Sequence, residues 1–258
     1  MISPRSRGWA FSSSVWKHLT LTALWCLGWQ WSVCRAQVTG IEVVVDTAFY
    51  GPNTPTPEDS FDPTGILDGY VSYLVYVNMT NPTDVLSAVF ADTSALPQGG
   101  ALGIDAECEC WNPIVESMVL DATNSSFFWT SEPLWEYDTF LTIGKLSSDE
   151  PGENPSWLSS PLLSGDAICG TEVTNGSAYV LGSPVNAVAG ADLRVLVARV
   201  TTCGDWSLNL NVQVFVDGDQ SNPQQYFVDT DGNGAIEVSD PCEAYDSQEA
   251  AVEGNVIV

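Results

Sequence analysis

Short runs of β-branched and aromatic residues, each bounded by Pro, Gly, Asn or Asp, recur along this chain from Gly40 onward. Ile41, Val43 and Val45 alternate with Glu42, Val44 and Asp46, and Tyr70 to Val77 is almost wholly β-branched or aromatic. Asp84 to Phe90, Ile104 to Trp111, Val115 to Leu120, Thr139 to Leu146, Ala178 to Leu181, Leu193 to Val200 and Leu208 to Val216 follow the same habit. Side chains that repeat every second residue put one face of an extended strand on a core and the other toward solvent; a helix needs a repeat near 3.6. The intervening stretches, above all Gly51 to Gly65 and Ser147 to Asp166, are crowded with residues that favour turns. About nine or ten short strands without a useful helical period predict an all-β fold, an antiparallel β-sandwich of jelly-roll type with a short C-terminal appendage.

The first 36 residues differ in kind. Arg5, Arg7 and Lys17 precede an apolar run from Leu19 to Val33, and Cys34-Arg35-Ala36 supplies small residues where a signal peptidase needs them. The run is shorter than the roughly 20 apolar residues that span a bilayer, so a cleaved secretory signal over 1–36 is expected, with the exported chain starting near Gln37. The β domain then occupies 37–228, and 229–258 forms the C-terminal segment. No later run is long or apolar enough to enter a membrane.

Beyond residue 36 only Lys145, Arg194 and Arg199 are basic, against all 33 acidic residues, a formal balance of −30. The one histidine, His18, lies in the signal. Without imidazole there is no Ser-His-Asp or Cys-His nucleophile and no histidine-ligated metal. Long-range repulsion likewise opposes nucleic acid and anionic membranes. Carboxylate chemistry and binding of hard cations stay open.

Asp229-Thr-Asp231-Gly-Asn233-Gly234-Ala235-Ile236-Glu237-Val-Ser-Asp240 places oxygen donors where a twelve-residue calcium loop needs them. Asp229, Asp231 and Asn233 fall at positions 1, 3 and 5, the Ala235 carbonyl at 7, Glu237 at 9 and Asp240 at 12. Gly234 takes position 6, where the turn demands positive φ. Asp240 is shorter than the usual Glu, so weak binding is expected, with a Kd of about 10⁻⁴ to 10⁻³ M. Asp217, Asp219 and Ser221 begin like a second loop, but Asn222 stands where the glycine would be and Val228 where the last carboxylate would be; a polar hairpin turn is the default there.

Two resemblances follow from these residues. The string from Asp229 to Cys242, D-x-D-x-N-G-x-x-E-x-x-D-x-C, resembles a thrombospondin type 3 calcium repeat, in which acidic loops are pinned by cysteines. The blocks Tyr73 to Phe90, Tyr137 to Gly144, Ala191 to Thr202 and Leu210 to Phe215 together look like a secreted β-rich module repeated in large surface proteins of marine bacteria. That resemblance implies an exported β-rich unit and no activity, catalytic residue or ligand.

Export makes disulfides plausible for Cys108, Cys110, Cys169, Cys203 and Cys242, yet five cannot all pair internally. Cys203 is one candidate partner for Cys242, which would clamp the exit of the calcium loop; Cys169 and the Cys108/Cys110 pair compete. Asn78, Asn124 and Asn175 begin glycosylation patterns. Trp129, Trp135, Trp157 and Tyr137 could form a stacking platform for sugar rings, with core packing as the commoner fate. Glu132, Glu136 and Asp138 lie near them, but nothing marks one as the raised-pKa acid that a glycosidase requires.

The combined expectation is a secreted, non-catalytic, calcium-binding surface or extracellular-matrix adhesion protein, partnered by calcium and by polysaccharide or other surface proteins. The alternative is a carbohydrate-binding module of a secreted assembly.

Overall fold

Two strands at the centre of the chain's first sheet show why the pattern folds as it does. In the computed structural model β3 (Val71–Met79) pairs antiparallel with β9 (Arg194–Thr202), Tyr73 opposite Val200 and Val77 opposite Val195. Tyr73, Val75, Val77 and Met79, two residues apart, all enter one hydrophobic cluster. The structure describes residues 38–51, 60–62, 64–94, 100–113, 118–158, 169–221, 223–228, 235–238 and 252–253, with backbone alone for 60–61, 227–228, 235–238 and 252–253. The described residues belong to one compact unit, and no α-helix occurs among them.

The first sheet runs β2-β1-β3-β9-β6, with β1 at Val38–Tyr50, β2 at Ser60–Phe61 and β6 at Phe140–Leu141. The second is seven-stranded, β14-β13-β12-β11-β4-β8-β7, built from β4 (Val85–Asp92), β7 (Ser156–Leu158), β8 (Asn175–Tyr179), β11 (Asn211–Phe215), β12 (Pro223–Val228), β13 (Ala235–Val238) and β14 (Val252–Glu253). A two-stranded ribbon joins β5 (Gly103–Ala106) to β10 (Trp206–Asn209). All strand pairs are antiparallel except β1 with β2. Val85, Leu86 and Val89 of β4, Ala178 of β8, Val212 and Val214 of β11 and Tyr226 of β12 join the same cluster as the first sheet's valines. One core therefore serves both sheets.

Most predicted strands are present with shifted ends. Ile104–Trp111 shortens to Gly103–Ala106, and Thr139–Leu146 to Phe140–Leu141. The second case has a local cause: Gly144 has φ +68°, and a Cβ there would strike the carbonyl of Asn186. The chain turns instead, and the Asn186 side-chain amide donates to the carbonyls of Ile143 (2.6 Å) and Glu153 (3.1 Å). Val119 makes only an isolated bridge to Leu141, and 114–117 lie outside the described residues, as do the signal segment 1–36 and Cys242.

The cysteines correct one expectation. Cys203 is bonded to Cys108, and Cys169 to Cys110, with Cα separations of 5.4 and 5.8 Å. The Cys203–Cys242 clamp does not form, because the β5–β10 register pairs Ala106 with Trp206 and carries Cys108 to Cys203 just beyond. The Ile104–Cys169 bridge likewise brings Cys169 near the buried Cys110. Each bond closes a long loop, spanning 95 and 59 residues. Breaking the second by C110S together with C169S should cost about 2–4 kcal/mol in urea unfolding; a loss below measurement error would show that the bridge constrains nothing.

Candidate functional site

The two sheets differ in what covers their outer faces. On the first sheet Arg199 points away from the core, yet is 2% exposed. Its guanidinium bonds Asp46 Oδ2 at 2.9 Å and donates to the Glu136 carbonyl, with the Tyr137 ring 5.5 Å away. The 3-10 turns Phe128–Thr130 and Pro133–Tyr137 supply that roof. Beside it Arg194 pairs with Glu42 at 3.0 Å and lies over the Tyr76 ring. Lys145 is 2% exposed and donates to Ser148 O at 3.0 Å and to Asn154 Oδ1. All three basic residues beyond position 36 are thus committed to the fold.

The second sheet's outer face is open and hollow. Directly paired residues share a face, so the register lines up Gln225, Gln213, Ala88, Tyr179 and Ser156 across five strands from β12 to β7. The next row holds Phe90, Ser177 and Leu158. Small side chains at Ala88, Gly176 and Ser177 form a floor; Tyr179, Phe215, Leu158 and Leu181 stand around it, enclosing a trough of about 480 Å³. Leu158 is 59% exposed and Leu181 67%, so this apolar surface faces water. A bulge between Gln213 and Val214 places Ser87 where its hydroxyl donates to Gln213 Oε1 at 3.0 Å and to the Gln213 carbonyl at 3.1 Å. That bond orients the Gln213 amide with its nitrogen as the end left for another acceptor.

The sequence-predicted sugar platform is dispersed. Trp157 lies on β7 and packs against the core cluster. Tyr137 is wedged against Phe49, ring centroids 4.7 Å apart, and beneath Arg199. Trp129 and Trp135 are half-buried; Trp135 meets Phe128 at 6.0 Å, and Phe127 is 80% exposed. Of the three nearby acids, Glu132 is exposed, Glu136 is half-buried and Asp138 is completely buried. Asp138 accepts a hydrogen bond from Asn124 Nδ2 at 2.8 Å. Asn124 itself is 5% exposed, which removes it as a glycan acceptor in the folded chain, whereas Asn175 is exposed.

The calcium-loop residues Asp229, Asp231, Asn233 and Asp240 lie outside the described residues, while Ala235 and Glu237 fall on β13. β13 pairs with β12, Val228 opposite Ile236 and Phe227 opposite Glu237. Val228 and Ile236, which flank 229–235, are therefore held one inter-strand distance apart. Among the described residues no cluster of three Asp, Glu or Cys side chains could hold a metal ion. At the β11–β12 turn Asp217 adopts φ 52° and accepts from Thr83 Oγ1 at 2.9 Å; Asp219 Oδ1 accepts from Ser221 N and Oγ at 2.9 and 2.7 Å. Those carboxylates hold a hairpin turn.

No protein-family model, no curated protein and no solved structure matches the chain. The trough residues Gln213, Tyr179, Phe215 and Ser87 were missed in the sequence because three strands distant in the chain bring them together. One signal was present: Val85-Leu-Ser-Ala-Val-Phe-Ala91 lacks the apolar/polar alternation of a strand with one wet face.

Burial raises the Asp138 carboxyl well above the usual range, outweighing the Asn124 and Thr139 hydrogen bonds and the Arg199 charge that favour the anion. A folded pKa above the unfolded one means that this group stabilises most below the unfolded pKa, and that stability is lost as pH climbs toward the folded value. Asp138→Asn, which keeps an acceptor for Asn124, should therefore raise Tm by several degrees at pH 7 and leave it nearly unchanged at pH 3. An equal shift at both pH values in thermal melts would contradict this account.

Proposed function

We propose that this chain is an exported, non-catalytic surface or matrix protein in which the two sheets form a β-sandwich and the segment 229–240 binds one calcium ion. The observation that carries the reading is the register of β12 and β13. It holds Val228 opposite Ile236, so the residues that flank Asp229 to Ala235 are fixed close together, and less entropy would be lost on closing the loop round an ion. Ile236, at position 8, is the first β13 residue paired with β12, as befits the loop's apolar anchor. Two disulfides support export, since such bonds persist in oxidising compartments. The resemblance to secreted modules of bacterial surface proteins points the same way.

The mechanism is charge neutralisation at a sheet edge. Without a cation the carboxylates of Asp229, Asp231, Glu237 and Asp240 repel one another; a divalent ion replaces that repulsion with shared oxygen coordination. The bound ion would fasten β13, and through it β14, onto the sheet.

Calcium titrated into the protein should release heat with a Kd of about 10⁻⁴ to 10⁻³ M. It should add about 1.4 kcal/mol of stability at ten times that concentration. Replacing Asp229 and Asp231 by Ala should abolish both responses while leaving the β-sheet circular dichroism unchanged. A protein whose Tm ignores millimolar calcium would sink the proposal.

A further inference from the structure

The trough on the second sheet's outer face is built unlike the rest of this acidic molecule. Among the described residues Asp92 is the one charged residue along its lining, and that carboxylate already accepts from Ser94 N and Oγ at 2.9 and 2.6 Å. Amides, hydroxyls and aromatic rings make up the remainder of its polar and apolar character. An anionic ligand would meet no cation there, because Arg194 and Arg199 belong to the other sheet and Lys145 is bound within its own loop.

The backbone of this face offers nothing to a ligand. β11, β4 and β8 are paired on both sides, so an extended peptide cannot add as a strand at the trough. Recognition has to come from side chains alone. An amide held in place by Ser87 suits a hydroxyl-rich ligand, as does a tyrosine ring presenting an apolar face beside a polar end. The volume lies within the roughly 300–1,000 Å³ of small-molecule sites, and the trough extends across several strands.

We propose that this trough binds a segment of a neutral polysaccharide, its sugar faces against Tyr179 and Phe215 and its hydroxyls bonded to Gln213 and Gln225. The proposal is of binding alone: among the described lining residues Asp92 is the single carboxyl, whereas most glycoside hydrolases use two placed about 5 to 9.5 Å apart. The site does not rest on the calcium reading, since no trough residue lies within 229–240.

The test is isothermal calorimetry of the exported chain, in millimolar calcium and again in chelator, with cellohexaose, xylohexaose, mannohexaose and laminarihexaose. Hexaguluronate serves as the acidic comparison. At least one neutral hexaose should bind saturably in both buffers. Tyr179→Ala and Gln213→Ala should each weaken binding about tenfold or more, while Trp135→Ala, on the other sheet's roof, stays within about twofold. Because truncation at Tyr179 can disturb folding, Ser177→Leu provides an independent arm: it fills the floor with a strand-compatible side chain and should also weaken binding, with an unchanged melting curve. No saturable heat with any neutral hexaose overturns the proposal. So does binding of hexaguluronate as tight as that of the best neutral sugar, or binding lost in Trp135→Ala but kept in the trough variants.

Discussion

Carboxylates bonded to the main chain hold the loops of this protein, and its charge balance leaves little alternative. The three cations beyond position 36 cannot pair with 33 acids, so most carboxylates must find other donors. Asp62-Pro-Thr64, Asp92-Thr-Ser94, Asp121-Ala-Thr123 and Asp219-Gln-Ser221 solve this in one way. In each, the aspartate Oδ1 accepts both the backbone N–H and the hydroxyl of the residue two positions on. Asp62 adds the Leu67 N–H on its other oxygen at 2.8 Å. Its burial raises the pKa, and the accepted hydrogen bonds overcome that and lower it. Ser126 and Ser147 hydroxyls similarly hold Asp149 far below the usual carboxylate range. A lowered folded pKa gives stability above the unfolded pKa that is lost as pH falls, so the turns held by Asp62, Asp149 and Asp219 loosen in acid.

With the loop carboxylates tied this way, the inner faces of the sheets are left to apolar side chains. Apolar residues at period two from both sheets meet in one cluster, and burial of that surface, at roughly 25 cal/mol per Å², provides the main drive to fold. The few ion pairs serve another purpose. Arg199 is nearly inaccessible, and its desolvation is tolerable only because Asp46, the Glu136 carbonyl and the Tyr137 ring surround it. Those contacts seat the 3-10 turns over the first sheet.

Elements whose pattern is local were legible in the sequence. Tyr70 to Val77 and Leu193 to Val200 are observed as Val71–Met79 and Arg194–Thr202, because short runs rich in β-branched, aromatic and other apolar residues suffice to mark a buried strand. What depends on distant pairing was not. Leu208 to Val216 reads as one strand, yet it changes partner at Leu210, from β5 on one side to β4 on the other. The Cys108–Cys203 bond follows from the same β5–β10 ribbon and is invisible without it. Among the candidate sites, the spacing of Asp229 to Asp240 was plain because a calcium loop is contiguous. The trough was not, since Gln213, Ala88 and Tyr179 are neighbours only through register.

The placement of charge also bears on what can approach the outer face of the second sheet. Among the described residues the hollow's lining carries one carboxylate, Asp92, and no cation, and the molecule's acidic surplus repels an anionic polymer over a Debye length of about 8–10 Å at physiological salt. A neutral chain feels no such barrier, and its hydroxyls exchange water for amides that are already oriented. Calcium at the proposed loop would act on the same sheet from its far edge, since β13 joins β12, β12 carries Gln225, and Gln225 lies opposite Gln213. An ion that fastens β13 would thereby stiffen the strand bearing one wall of the trough. The proposed loop and the trough would thus share one hydrogen-bonded ladder, with β12 as the strand through which one could steady the other.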